Sequence, residues 1–249
     1  VTEASPLQRL DVVLVARGLV PTRARARDLV LRGRVNVDGA VVTKPAAMVG
    51  PSAALHVAAD EASMVSRGRL KLAKGLDSFG FDPAGRICLD IGASTGGFTE
   101  LLLERGATQV HAVDVGHGQL HPRLAADTRV VVHEGRDART LNADVISHAP
   151  TAIVADVSFI PLSKVLPAAL ALAAPGAWLV ALVKPQFEAG PEHVSKSGIV
   201  RDPAVRAAAV ARVAAWLSGD CGWRIVGDVA SPIEGGSGNI EHLIGAVND

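Results

Sequence analysis

Between residues 86 and 184 the chain repeats one pattern, a short apolar run followed by a stretch with helical spacing. The runs are Ile87–Asp90, Val110–Asp114, Val130–His133, Ile153–Asp156 and Trp178–Lys184. Continuous apolar strands that alternate with helices call for a parallel sheet covered on both faces, so the expected class is α/β. Four of the five runs finish on a residue charged at neutral pH: Asp90, Asp114, Asp156 and Lys184. Ligands of open α/β sheets bind at the carboxyl ends of the strands. A charge at an apolar strand end needs a partner of its own, so four converging on one edge are read as a functional edge.

The first run leads into Asp90-Ile91-Gly92-Ala93-Ser94-Thr95-Gly96-Gly97-Phe98, followed by a helical stretch, Thr99–Arg105. Glycines at such a turn let backbone approach a ligand, and the helix start offers free N–H groups. Nicotinamide enzymes use a similar turn, but the order here, Asp-x-Gly-x-x-x-Gly, departs from Gly-x-Gly-x-x-Gly. An acid before the first glycine suits a cationic ligand. S-adenosylmethionine carries a sulfonium and an ammonium, whereas a carboxylate would repel the pyrophosphate of a dinucleotide. Asp114 follows the glycines by about twenty residues, where a carboxylate accepts from both ribose hydroxyls of a nucleoside.

The formal net charge is zero, yet residues 1–74 hold 12 Lys/Arg against 6 Asp/Glu, leaving 13 against 19 for the rest. A head of net +6 on a body of net −6 points the head at a polyanion. Within it Arg9–Arg17 and Arg23–Arg32 have helical spacing, with Gly18 and Gly33 as stops and Thr22 as a cap. Val35, Val37, the turn Asp38-Gly39 and Val41-Val42 read as a hairpin, with Leu55–Val57 as a later strand. Arg9-Leu10-Asp11, Gly18-Leu19, Thr22-Arg23, Ala26-Arg27, Leu29-Val30 and Gly33-Arg34 through Gly39 together resemble the S4 RNA-binding domain. Arg9, Arg23, Arg27 and Arg34, with Arg67 beyond, are the expected RNA contacts, because guanidinium forks grip phosphate while reading little sequence.

Cys88 and Cys221 belong to no disulfide or zinc pattern, and no apolar run is long enough to span a bilayer, so a soluble cytoplasmic protein is expected. His117 and His121 lie four apart with no third ligand at useful spacing and are read as a surface pair, with no metal expected.

Five segments in order extend the likeness: Val65-Ser66-Arg67-Gly68 with Lys71, Asp90–Phe98, Ala155–Phe159, Leu182–Glu188 and Gly236–Glu241. Over nearly the whole chain they resemble the TlyA family, which joins an S4 domain to an FtsJ-like ribose methyltransferase domain. The resemblance implies a small α+β S4 domain at 1–60, a linker at 61–66 and a Rossmann-like class I S-adenosylmethionine-dependent methyltransferase domain at 67–249. It implies a tetrad of Lys71, Asp156, Lys184 and Glu241, a cofactor site at Asp90, Gly92, Ser94, Gly96, Gly97, Phe98 and Asp114, and Asp137 near the adenine. It also implies ribosomal RNA as partner and a cytidine 2'-hydroxyl as target, with no obligate protein partner and no membrane. Removing a hydroxyl proton needs a base, and a lysine is one only in its neutral form, which burial and a neighbouring cation favour. Lys184 is the expected base, with Lys71 as that cation, Asp156 orienting it, and Glu241 completing the balance.

Phe159 and Phe187 each lie three residues past a tetrad member; either could stack on an extruded base, though core packing is the commoner fate and is expected here. Pro203–Leu217 reads as a helix, Arg224–Val229 as a strand, and Ile240–Val247 as a strand that the resemblance makes antiparallel. The linker Glu61-Ala62-Ser63-Met64 lacks the Arg-Ala-Trp of mycobacterial members. The ending at Asp249 favours a large-subunit target, while the extended segment Val1–Leu7 pulls the other way. Two rival functions are a catalytically silent RNA-binding assembly factor and a membrane-active haemolysin; the intact tetrad argues against the first and the lack of a spanning segment against the second.

Overall fold

The computed structural model describes residues 7–20, 22–31, 33–57, 65–235 and 238–249. The chain divides into two compact units, Val1–Met64 and Val65–Asp249. Linker residues 61–64, the expected helix end at Arg32, and Gly236 and Ser237 lie outside the described residues.

In the first unit β1 (Gln8–Arg9) runs into α1 (Leu10–Ala16), and α2 (Arg23–Leu31) follows. Then come β2 (Val35–Val37), β3 (Ala40–Val41), β4 (Met48–Val49) and β5 (Leu55–Val57). The sheet order is β3-β2-β5, and β1 pairs separately with β4. The helical stripes Leu10, Val13, Leu14 and Ala26, Leu29, Val30 close one core with Val35 and Val57. Asp11 is fully buried beside them and is held by Arg9, through Nε and Nη2 at 2.9 and 3.1 Å, and by Arg23 at 3.1 Å. These bonds pull its carboxyl down to about 2 against the cost of burial.

The second unit opens on Val65, which is buried in its core, and continues with α3 (Gly68–Phe79), β6 (Ile87–Ile91), α4 (Gly97–Glu104) and β7 (Gln109–Asp114). Next are α5 (Pro122–Ala125), β8 (Val130–Glu134), β9 (Ala152–Ala155), α6 (Leu162–Val165) and α7 (Pro167–Ala171). The unit ends with β10 (Trp178–Val183), α8 (Pro185–Glu188), α9 (Pro203–Gly219), β11 (Arg224–Ala230) and β12 (His242–Val247). The seven strands lie in the order β11-β12-β10-β9-β6-β7-β8, with β12 antiparallel to both neighbours and β10 through β8 parallel. One face packs on α3, α4 and α5, the other on α6, α7 and α9, which explains the unbroken apolar runs of the central strands. β6 lies between β7 and β9, so the chain reverses direction across the sheet beside Gly92 and Asp156, where such folds open a crevice. Among the described residues no helix is long and apolar enough to cross a membrane.

Candidate active site

The glycine turn follows from the strand before it. Gly92 has φ +83°, and a Cβ there would meet the Asp156 carbonyl oxygen at 2.5 Å, so the backbones of β6 and β9 touch where the strands end. Ser94, also left-handed at φ +49°, gives its N–H to Asp114 Oδ2 at 2.8 Å, and Gly116 N–H binds Oδ1 at 2.7 Å. Two backbone donors thus fix the Asp114 carboxylate and leave it lone pairs for a ligand.

Asp90 is placed differently from the expectation. β6 continues to Ile91, so Asp90 is an interior strand residue rather than the strand end, and its side chain is sealed beneath the turn. Its Oδ2 accepts from Thr99 Oγ1 at 2.6 Å, while Oδ1 has no partner. Burial, with Asp156 and Asp114 adding repulsion, pushes the carboxyl up to about 7. Its bond to Thr99 ties β6 to the first turn of α4, and none of its surface is exposed. Gly96 is likewise backed by Leu120 and Leu124, while Gly97 abuts Ser66.

A cavity of about 420 Å³ runs along the strand ends, with Asp114 and Asp137 toward one end, Asp156 and Ser158 toward the other, and Val113 and Ile160 in its wall. A smaller one, about 210 Å³, shares Gly92, Ser94 and Asp156 with it and adds Gly97, Phe98 and Lys184. Asp137 caps a short 3-10 turn and binds the Arg139 guanidinium at 2.5 Å, which holds its carboxyl below the usual range.

The four residues of the expected tetrad form two ion pairs. Lys71, from the second turn of α3, donates to Glu241 Oε2 at 2.6 Å, and both are buried. Lys184 Nζ lies 2.6 Å from Asp156 Oδ1 and directs a hydrogen bond to Ser158 Oγ at 2.9 Å. Lys184 and Glu241 line the same third cavity, about 350 Å³, which joins the pairs into one site. Gly235 seats the last member, for a Cβ there would meet the Glu241 carboxyl carbon at 2.8 Å.

Phe159 is not in the core. It is 89% exposed at φ +67°, and its ring lies 5.1 Å from that of the partly buried Phe187 at the mouth of the third cavity. A large apolar side chain held outward in a strained backbone is costly to folding and suits a surface that receives a flat partner. Two contributors were not singled out in the sequence. Ser158 stands inside an already quoted segment, and Asn239 lies two residues before Glu241. The buried Asn239 side chain donates to Gly198 O at 2.8 Å and accepts from Val200 N–H at 2.9 Å, tying down the loop that rims the third cavity. His121 accepts from Arg123 N–H at the start of α5, and among the described residues no group of three His, Cys, Asp or Glu is arranged to hold a metal.

In the first unit Arg9, Arg23, Arg27 and Arg34 are all exposed, and Arg9 and Arg23 also bond the buried Asp11. Arg67 lies in the second unit, immediately before α3.

The family model of the FtsJ-like methyltransferases matches residues 64–247, and that of the S4 domain matches residues 8–55. The chain belongs to the FtsJ-like methyltransferase family. TlyA-named proteins are among its relatives. The 16S/23S rRNA (cytidine-2'-O)-methyltransferase TlyA of Mycobacterium tuberculosis strain H37Rv is 48% identical over 237 residues, 95% of this chain and 88% of that protein. Hemolysin A of Brachyspira hyodysenteriae is 41% identical over 94% of this chain and 98% of its own length. A solved structure of a hemolysin-named protein from Streptococcus thermophilus is 39% identical with a TM-score of 0.77, covering 98% of this chain and 90% of that one.

Proposed function

We propose that the chain transfers a methyl group from S-adenosylmethionine to the 2'-hydroxyl of a cytidine in ribosomal RNA. The observation that carries this reading is the pair of contacts Lys71–Glu241 and Lys184–Asp156, drawn from four distant parts of the sequence to one sheet edge. The cytidine and the ribosomal RNA come from the name of the mycobacterial relative. The cavities fit the donor's chemistry: a carboxylate with lone pairs to spare, Asp114, for adjacent hydroxyls, an apolar wall for a purine, and Asp156 for a cation.

When bound, S-adenosylmethionine supplies a methyl on a cationic sulfur that departs as a neutral thioether. A ribose hydroxyl is a poor nucleophile until it loses its proton, and Lys184 Nζ is the atom that takes it. Asp156 and Ser158 aim that nitrogen, and the Lys71–Glu241 pair keeps the group balanced when the proton arrives. Asp114, Gly92, Ser94, Gly97 and Phe98 would hold the donor, with Asp137 toward its adenine. Phe159 and Phe187 receive the target base by stacking once it leaves its helix. Residues 1–60 grip RNA, with Arg27 and Arg34 on phosphates and Arg67 adding a contact from the catalytic domain.

Labelled methyl transfer to ribosomal RNA tests this. Lys184→Ala is expected to lose about 10²- to 10⁴-fold in rate while keeping its affinity for RNA and for S-adenosylhomocysteine. A variant that turns over like wild type, or a methyl mapped to a base atom, would remove the proposed role of Lys184.

A further inference from the structure

Glu134 closes β8 directly across from Asp114, the last residue of β7. Its carboxylate reaches into the segment between β7 and α5. Oε2 accepts the N–H of Gly118 at 2.7 Å, and Oε1 accepts those of Gln119 at 2.7 Å and Leu120 at 2.9 Å. Three consecutive backbone donors turned to one side cannot all be met by a strand or a helix; an anion gathers them. The bonds in turn hold the Glu134 carboxyl below the usual carboxylate range.

The segment gripped in this way serves the neighbouring cavity twice. Val115 and Gln119 line it beside Asp114, and Gly116 supplies one of the two N–H groups that fix the Asp114 carboxylate. Leu120 is buried behind the glycine turn, where a Cβ on Gly96 would meet its Cδ1 at 2.8 Å, and His121 N–H binds Thr95 O at 3.1 Å. Gly135 N–H to Gly116 O, at 2.8 Å, closes the loop against the end of β8. Glu134 is thus not itself a lining residue of the cavity, yet it bonds one that is, Gln119, and holds Leu120 behind the glycine turn.

Resting on the cofactor reading above, we infer that Glu134 is a positioning residue for the methyl donor, holding Gly118–Leu120 so that Gln119 and Asp114 meet the nucleoside end. Without its carboxylate the segment opens, and donor affinity falls by the fraction of time it stays closed.

The test uses the full chain, with Glu134→Ala and Glu134→Gln, and S-adenosylhomocysteine as the calorimetric probe. The alanine variant is expected to bind it about 10- to 100-fold more weakly. Its KM for the donor rises, while kcat at saturating donor and KM for RNA stay at wild-type values. In ligand-free protein, hydrogen exchange at the Gly118, Gln119 and Leu120 amides quickens while the β6 and β9 amides keep their protection. Glutamine, whose one remaining acceptor oxygen faces two of the three donors, recovers part of the affinity. A residue that only stabilised the fold would lower the melting temperature and leave donor affinity unchanged. Alanine-variant affinity within about twofold of wild type, or unchanged exchange at the three amides, overturns the inference. If the alanine variant does not fold, wild-type affinity in the glutamine variant overturns it instead. Wild-type protein that fails to bind the probe overturns the cofactor reading, and this inference with it.

Discussion

Asp90 shows how a residue can carry a motif's signal while its side chain lies buried inside the strand. Its place before the glycines suggested a counter-charge for a cationic ligand, but β6 is covered on both faces, and no period in the sequence says which way an interior strand residue turns. Its carboxyl, raised by burial to about 7, is protonated in the fold at pH values where the unfolded chain has already lost the proton. Such a group contributes its stability fully below the unfolded value and loses it as pH rises through the folded one. Asp90→Asn is therefore expected to gain on wild type between about pH 4 and pH 7, by a ceiling of about 4 kcal/mol, checked by denaturant unfolding at a series of pH values. A pH-independent difference would mean that Asp90 is ionised where it is buried. Phe159 departs from expectation the other way: base rates favour burial, and only the backbone at φ +67° turns it outward. Phe159→Ala should leave the melting temperature unchanged and lower kcat/KM for RNA by about tenfold or more, the cost of one lost base stack.

Strands were the legible elements, because runs buried on both faces are apolar throughout; the five expected central strands match the observed ones to within one residue. The charged edge was legible for the same reason, since polar residues stand out where such runs stop. Helix α3 was not read, although it carries Lys71. Its two glycines and its lysines mask a stripe of Leu72, Leu76 and Phe79, and its end at Gly80, φ +69°, is the one plain cue. The two-residue strands β1 and β4 were missed because pairs that short have no period to detect. Gly75 shows what α3 needs. A Cβ there would come to 2.8 Å from Val180 Cγ1, so the helix lies close enough to β10 to deliver Lys71 to Glu241. Alanine in place of glycine gains about 1 kcal/mol of helix propensity, but overpacking against a β-branched residue in a central strand costs about 1–3 kcal/mol. Gly75→Ala should lower both melting temperature and methyl transfer, and Val180→Ala in the same chain should restore much of each. Additive losses in the double variant would place the cost elsewhere.

At the scale of the molecule, the amino-terminal 74 residues carry the positive charge and the remainder the negative, so affinity for RNA should fall steeply with salt while affinity for the methyl donor changes little. Arg27→Ala is expected to reduce the slope of log affinity against log salt by about 1. Arg9→Ala and Arg23→Ala should in addition destabilise the first unit, because each leaves buried Asp11 with one partner fewer. An unchanged salt slope in Arg27→Ala would take that residue off the RNA. The sheet itself sets a constraint in time. β12 follows every other described strand in sequence, yet it lies inside the sheet, between β10 and β11, and Glu241 immediately precedes it. During synthesis the β10–β11 neighbourhood stays incomplete until β12 is made, and Glu241, one carboxylate of the proposed catalytic group, arrives with it. On the proposed mechanism, a growing chain still lacking that strand has no complete proton-handling group, so competence for transfer comes only as the sheet closes.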